Sequence, residues 1–334
     1  MWLPSCVMEN AYCPDFVGGE DNPFTISFVL STRDVMTRAE SDTTWGDNYD
    51  KVIGNDFENQ IKSLSLIIYN STGDKVATIT DFNYFATAGA ASDGCVESYL
   101  ITTEIKQQIG LANEKYRFVI VANADLGADV ENTIYELGDI VDEGIPMWGV
   151  TTQTVQANSN VNLGTIHLLR AVAKIEVKLS DNVATSFNIE NAVVTKYNSK
   201  GYVFPFEKDC ESTLILDHAE NTFNALYDVS SLSGNLIFTI AEDKKTCYVY
   251  ITEWEAIAEN AKIVLQLKDT KTIHAFEIEF KNYQDGKSIG EPHDVVRNHY
   301  YKYTVTQVST TQEITIECAV LPWVVVYNNL EVII

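Results

Sequence analysis

The sequence predicts an all-β protein built as two β-sandwiches with a few short helices. Three observations lead there. Apolar residues recur at every second position in many short segments separated by polar turns, the pattern of strands with one buried face. Helical spacing is confined to two stretches, TEIKQQIGLANE (103–114) and ENTIYELGDIVDE (131–143), which are expected to cross the ends of a sheet. At 334 residues the chain is long enough for two domains. The polar, Asn-rich segment QANSNVNLGT (156–165) suits the connection between them.

The first predicted strand carries Ile26, Phe28 and Leu30 on one face and Thr25, Ser27, Val29 and Ser31 on the other. After it, RDVMTRAESDTTWGDNYDKVIGND (33–56) is acidic, small and turn-rich. It reads as a long exposed loop, the kind of segment proteases prefer. Leu64, Leu66 and Ile68 form the next strand and end at the turn Asn70-Ser71-Thr72-Gly73. Phe118 and Ile120 mark another within KYRFVIVAN. In the second half, Ile175, Val177 and Leu179 alternate with Lys174, Glu176 and Lys178 and are expected to be buried. Further strands are expected at Leu236-Phe238-Ile240, Tyr248-Tyr250, Ile263-Leu265-Leu267, Phe276-Ile278-Phe280 and Tyr301-Tyr303-Val305. The chain closes with CAVLPWVVVYNNLEVII, in which Leu330, Val332 and Ile334 repeat the apolar alternation after Asn328-Asn329. A hydrophobic strand at a terminus has two outlets. It can fold back as a hairpin on its own sandwich, with the two asparagines as the turn, or it can pair with another molecule.

Hydrophobic residues make up 46% of the chain, enough to bury real cores. The formal net charge is -24. Up to residue 165 there are 8 basic and 24 acidic residues, so the first half is strongly acidic, and the second half is acidic as well. Such a surface repels phosphate and argues against a nucleic-acid partner. No apolar run approaches the length of a membrane span. The opening Met1-Trp2-Leu3-Pro4-Ser5-Cys6 places Leu three residues and Ser one residue before a cysteine, like the end of a bacterial lipoprotein signal. Cys6 is therefore a lipidation candidate, or else an ordinary cysteine, since Pro4 is atypical and a charged start and apolar core are missing.

The residues themselves carry little chemistry. No Cys-x-x-Cys pair occurs, and the five histidines show no metal spacing. Disulfides are open to an exported chain, while Cys247 and Cys318, within strands, fit buried free thiols equally well. No nucleophile-elbow, P-loop, zinc-protease or EF-hand pattern is present. Glu253 and Glu255 flank Trp254 as a glycosidase pair could, but read better as two solvated carboxylates beside a packed ring. Asp47, Asn48 and Asp50 lack the glycine and closing glutamate of a calcium loop. No catalytic residue, cofactor or metal is expected.

Six segments together resemble the fimbrillins, pilus subunits of Bacteroidales. They are NDFENQIKSLSLIIYNSTGD (55–74), FVIVANAD (118–125), GIPMWG (144–149), LLRAVAKIEVKL (168–179), VVRNHYYKYTV (295–305) and VLPW (320–323). The resemblance implies two transthyretin-like β-sandwiches, at 25–165 and 166–323, between a lipoprotein-like leader (1–24) and a donor segment (324–334). It implies a structural role without enzymatic activity, a location in a cell-surface fimbrium or at the outer membrane, and other fimbrial subunits as partners, with a lipid anchor on Cys6 in the precursor. It further implies polymerisation by strand exchange. A protease cuts after Arg38, or Arg33, and the strand of Ile26, Phe28 and Leu30 leaves. Val324, Val325, Val326, Tyr327, Leu330, Val332 and Ile334 of another copy then fill the groove. An anchor, which keeps its first strand, or a tip adhesin binding host or bacterial surface ligands is the alternative. Within LLRAVAKIEVKL, Arg170 and Lys174 are expected on one face of a single strand that opens the second domain.

Overall fold

The computed structural model describes residues 24–31, 56–86, 98–105, 111, 113–157, 159–206, 208–209, 211, 234–254, 261–309 and 313–322. Cys6, Arg33, Arg38, the Asp47–Asp50 group and the segment 324–334 lie outside them.

The protein is all-β. Its first half contributes β1 (Phe24–Ser31), β2 (Leu64–Tyr69), β3 (Lys75–Ile79), β4 (Asn83–Ala86), β5 (Ser98–Ile105), β6 (Glu114–Ala122), β7 (Ile134–Glu136), β8 (Met147–Val155), β9 (Val161–His167) and β10 (Leu169–Arg170). These strands form a four-stranded sheet in the order β4-β5-β1-β9 and a five-stranded sheet in the order β10-β8-β6-β2-β3. Between the sheets lies a core that includes Ile26, Phe28, Leu30, Leu66, Phe118 and Ile120, all fully buried. The sheets approach closely at β8, where a side chain on Gly149 would come within 2.7 Å of the His167 carbonyl.

The second half contributes β11 (Val172–Leu179), β12 (Asn188–Thr195), β13 (Lys200–Tyr202), β14 (Asn235–Ile237), β15 (Thr239–Ile240), β16 (Thr246–Thr252), β17 (Lys262–Lys268), β18 (Ile273–Glu279), β19 (Asn282–Gln284), β20 (Lys287–Ile289), β21 (His299–Val308) and β22 (Ile314–Pro322). The order β15-β16-β11-β21-β22 faces β14-β12-β17-β18. Ile175, Val177 and Leu179 are buried in this second core, as their alternation with charged residues leads one to expect. The β19–β20 hairpin turns at Asp285-Gly286, both at positive φ, and its tip rests on Thr315 of β22.

Helices are short: α1 (Asp56–Asn59), α2 (Ile140–Glu143) and α3 (Asp181–Ala184). Of the two helical stretches expected from spacing, 131–143 is corrected, and 103–114 is corrected at its two ends, its middle (106–110 and 112) lying outside the described residues. Residues 103–105 end β5 and Glu114 begins β6. The stretch 131–143 is a 3-10 turn, then β7, then one helical turn. Pairing decided the matter there: β7 is zipped to β13, and the Tyr135 hydroxyl donates to the Ala171 carbonyl at 2.7 Å, bonds a helix would forfeit.

β2 also differs from a strand with one apolar face. All six of its residues are buried, including Ser65, Ile67 and Tyr69 on the face away from the sandwich core. A strap, described at 199–206, 208–209 and 211, lies over that side of the sheet. β13 pairs with β7, the Val203 amide donates to the Thr133 carbonyl, and Phe204 packs on Trp148 with ring centroids 6.2 Å apart. Asp209 pairs with Arg117, whose guanidinium lies 4.5 Å from the ring centroid of Tyr69. The continuous apolar run LSLIIY is thus the mark of a strand covered on both faces.

Candidate functional site

The residues with the clearest functional reading sit on β1. It is an interior strand, antiparallel to β5 from Phe24↔Ile105 to Ser31↔Ser98 and parallel to β9 from Ile26↔Val161 to Ser31↔His167. Both rows of its backbone groups are therefore paired. Ile26, Phe28 and Leu30 are each 0% exposed. Phe28 meets Phe82 edge-on at 6.3 Å. The pairing with β9 is interrupted by a bulge, because Ser27 faces Asn162 but Val29 faces Thr165. Gly164 occupies the bulge at φ +69°, and its amide donates to Asn162 Oδ1 at 3.0 Å. That conformation suits glycine, and the bulge pins the register.

β1 is buried like a core strand yet covalently isolated from the strands around it. Residues 32–55 separate it from α1. β11 holds the corresponding place in the second sandwich, between an antiparallel neighbour (β16) and a parallel one (β21). Only Ala171 separates β11 from β10, so β11 cannot leave without dragging the first sandwich with it.

A second constellation escaped the reading of the sequence. Arg170 and Lys174 do not share a strand. Arg170 ends β10 in the first sandwich and Lys174 lies on β11 in the second. Both reach α1. The Arg170 Nε donates to the Glu58 carbonyl at 3.2 Å, and the Lys174 Nζ donates to Glu58 Oε1 at 2.6 Å. The Tyr250 hydroxyl donates to the same oxygen at 2.8 Å. Glu58 is 0% exposed, so its charge is neutralised in the interior rather than in water. Lys174 also lies 5.1 Å from the Tyr248 ring centroid and 5.6 Å from that of Tyr300. Tyr248 and Tyr250 therefore belong to the outer face of β16, while Cys247, Val249 and Ile251 point to the core.

Glu253 is corrected in the same way. It is a buried partner of Arg297, not a solvated carboxylate: Arg297 Nη2 donates to Glu253 Oε2 at 2.7 Å, and the Arg297 amide to Oε1 at 3.1 Å. Arg297 Nη1 also donates to the Val203 carbonyl at 2.7 Å and Nη2 to the Tyr202 carbonyl at 2.9 Å. Glu255 lies outside the described residues. Cys247 and Cys318 are free thiols, and burial pushes both up to about 12, which leaves them protonated and unreactive. Among the described residues no group of His, Cys, Asp and Glu is arranged to hold a metal ion.

The described residues form two interlocked β-sandwiches whose first strand, β1, is interior and paired on both sides. The chain belongs to the family of Fimbrillin-A associated anchor proteins Mfa1 and Mfa2, whose model matches residues 43–329. It is a fimbrial protein of the cell surface and not an enzyme. Its fold resembles that of the tip fimbrial protein Mfa3 from Porphyromonas gingivalis, solved with a C-terminal truncation. The TM-score is 0.51 at 16% identity, over 90% of this chain and 100% of that one. A fimbrial assembly protein from Parabacteroides distasonis is similar at TM-score 0.52 and 15% identity, over 89% of this chain and 95% of that one. No curated protein matches by sequence.

Proposed function

We propose that the chain is a structural subunit of a cell-surface fimbrium, exported as a lipoprotein through Cys6 and joined to its neighbours by strand exchange at the β1 groove. A protease cuts after Arg38, or Arg33, β1 departs, and the apolar segment Val324–Ile334 of another copy takes its place. The observation that carries this reading is β1 itself, interior, paired on both sides, with three fully buried side chains, and joined to α1 only through residues 32–55. Its loss would leave two rows of unpaired backbone groups and an apolar trench. Refilling that trench with three comparable side chains recovers roughly 5–9 kcal/mol before ordering costs. Outer-membrane attachment of the precursor follows from the same reading.

The second reading is a fimbrial anchor that keeps β1, and the description of the matching family favours it. The N-terminus of the mature protein taken from the cell surface separates the two. A start immediately after Arg38 or Arg33 supports exchange. A start at Cys6, with β1 retained, supports the anchor.

A further inference from the structure

Three of the segments through which the chain resembles its family, 55–74, 168–179 and 295–305, meet at the junction of the two sandwiches, and with the strap they interlock it from both sides. From the first half, α1 lies on the outer face of the second sandwich. Glu58 receives Lys174 and Tyr250, and the Phe57 ring sits 5.8 Å from that of Tyr250. From the second half, the strap lays Val203 and Phe204, at 0% and 1% exposure, on the outer face of the first sandwich's β10-β8-β6-β2-β3 sheet, and Tyr300 joins the same apolar cluster. Cross-ties close the loop. Arg170 donates to Asn298 Oδ1 at 3.3 Å, and the Asn298 amide to the Val172 carbonyl at 2.9 Å. Arg297 holds the strap's two carbonyls while paired to Glu253.

A hinge between domains needs an interface that can slide or open, and such interfaces are commonly polar and wet. This one is the opposite. Each sandwich contributes a segment to the other, and the two anionic side chains, Glu58 and Glu253, are fully or nearly fully buried against cations. Opening it would part the buried Glu58 from Lys174 and Tyr250 and lift Phe204 off Trp148. We propose that the two sandwiches are a single cooperative body that does not hinge, with Glu58 and Arg297 as its pins. Its mechanical use rests on the fimbrial reading: tension entering at the β1 groove of the first sandwich would leave through β22 of the second, across this junction. The cooperativity itself does not depend on strand exchange.

Hydrogen exchange of the full chain along a urea series tests the proposal. The peptides Glu114–Ala122 of β6 and Lys262–Lys268 of β17 report one core each. They are expected to lose protection at one midpoint. In Glu58→Ala and Arg297→Ala the midpoints are expected to separate by at least about 1 M urea, and in Glu58→Gln by less. Separate midpoints in the unaltered protein would overturn the proposal without any variant having to fold. So would a common midpoint that moves but never splits in both alanine variants. Neither outcome bears on whether β1 is exchanged.

Discussion

Asn123 illustrates how much a single side chain can hold in this fold. At φ +56° it stands at the end of β6 and fills all four positions of its amide. Oδ1 accepts from the backbone of Lys62 at 2.7 Å and Ser63 at 3.3 Å, and Nδ2 donates to the carbonyls of Gln60 at 2.7 Å and Ile145 at 2.9 Å. It thereby joins three of the segments that carry the family resemblance. A side chain on Gly144 would press within 2.7 Å of that amide, which is why GIPMWG begins with glycine. None of this was legible from periodicity, because a buried polar knot leaves no alternating pattern. The glutamates beside Trp254 misled for a related reason, since exposure is the ordinary state of a glutamate and the compensating Arg297 lies 44 residues away. His293 supplies a prediction at this scale. Its ring stacks on Tyr301 at 5.5 Å, meets Phe280 edge-on, and neither ring nitrogen has a hydrogen-bond partner among the described residues. Burial holds it down to about 4, against 6.5 when unfolded. The folded state thus disfavours the charged form. The contribution is present above about pH 6.5 and is lost as pH falls toward 4. Urea denaturation between about pH 7.5 and pH 5 is expected to show a loss of about 2 kcal/mol that His293→Leu abolishes. An equal loss in that variant would rule out His293 as the cause. Asp269 is held down to about 2, chiefly by the backbone amides of Lys271 and Thr272, so it titrates below this window.

At the scale of elements, strands with one buried face were readable and strands with two were not. Ile263, Leu265 and Leu267 alternate with the partly exposed Lys262, Val264 and Gln266 because water lies beyond that outer face. β2 does not, because a strap more than 130 residues downstream covers it, and local sequence holds no trace of that cover. The stretch 131–143 kept helical spacing by coincidence of a turn, a strand and a turn. β1 was legible, both as a strand and in the identity of its three inward residues. What the sequence could not convey is its place between β5 and β9. Phe28 anchors it, so Phe28→Ala is expected to cost about 3–5 kcal/mol in chemical denaturation of the uncleaved protein. A cost below about 1 kcal/mol would mean that β1 is only loosely seated, and the groove argument would lose its energetic basis.

The whole molecule repeats a plan that its sequence conceals. Each sandwich opens with a strand, β1 or β11, that lies beside a later strand of the same sandwich in parallel, β9 or β21. No internal repeat is visible because the plan constrains only which positions face inward. The two copies differ in how their first strands are joined to the chain. β11 is joined to β10 through Ala171 alone, whereas 24 residues of sequence, 32–55, stand between β1 and α1. The chain is fimbrial by family and fold, and the proposed joint between copies is the trench that β1 occupies. A photoreactive phenylalanine analogue in place of Tyr327, in polymer assembled from isotopically light and heavy copies, tests that joint most directly. The account predicts crosslinks from Tyr327 of one copy to peptides of β5 (Ser98–Ile105) or β9 (Val161–His167) of another. Polymer that forms while every crosslink from Tyr327 stays within its own copy would contradict it.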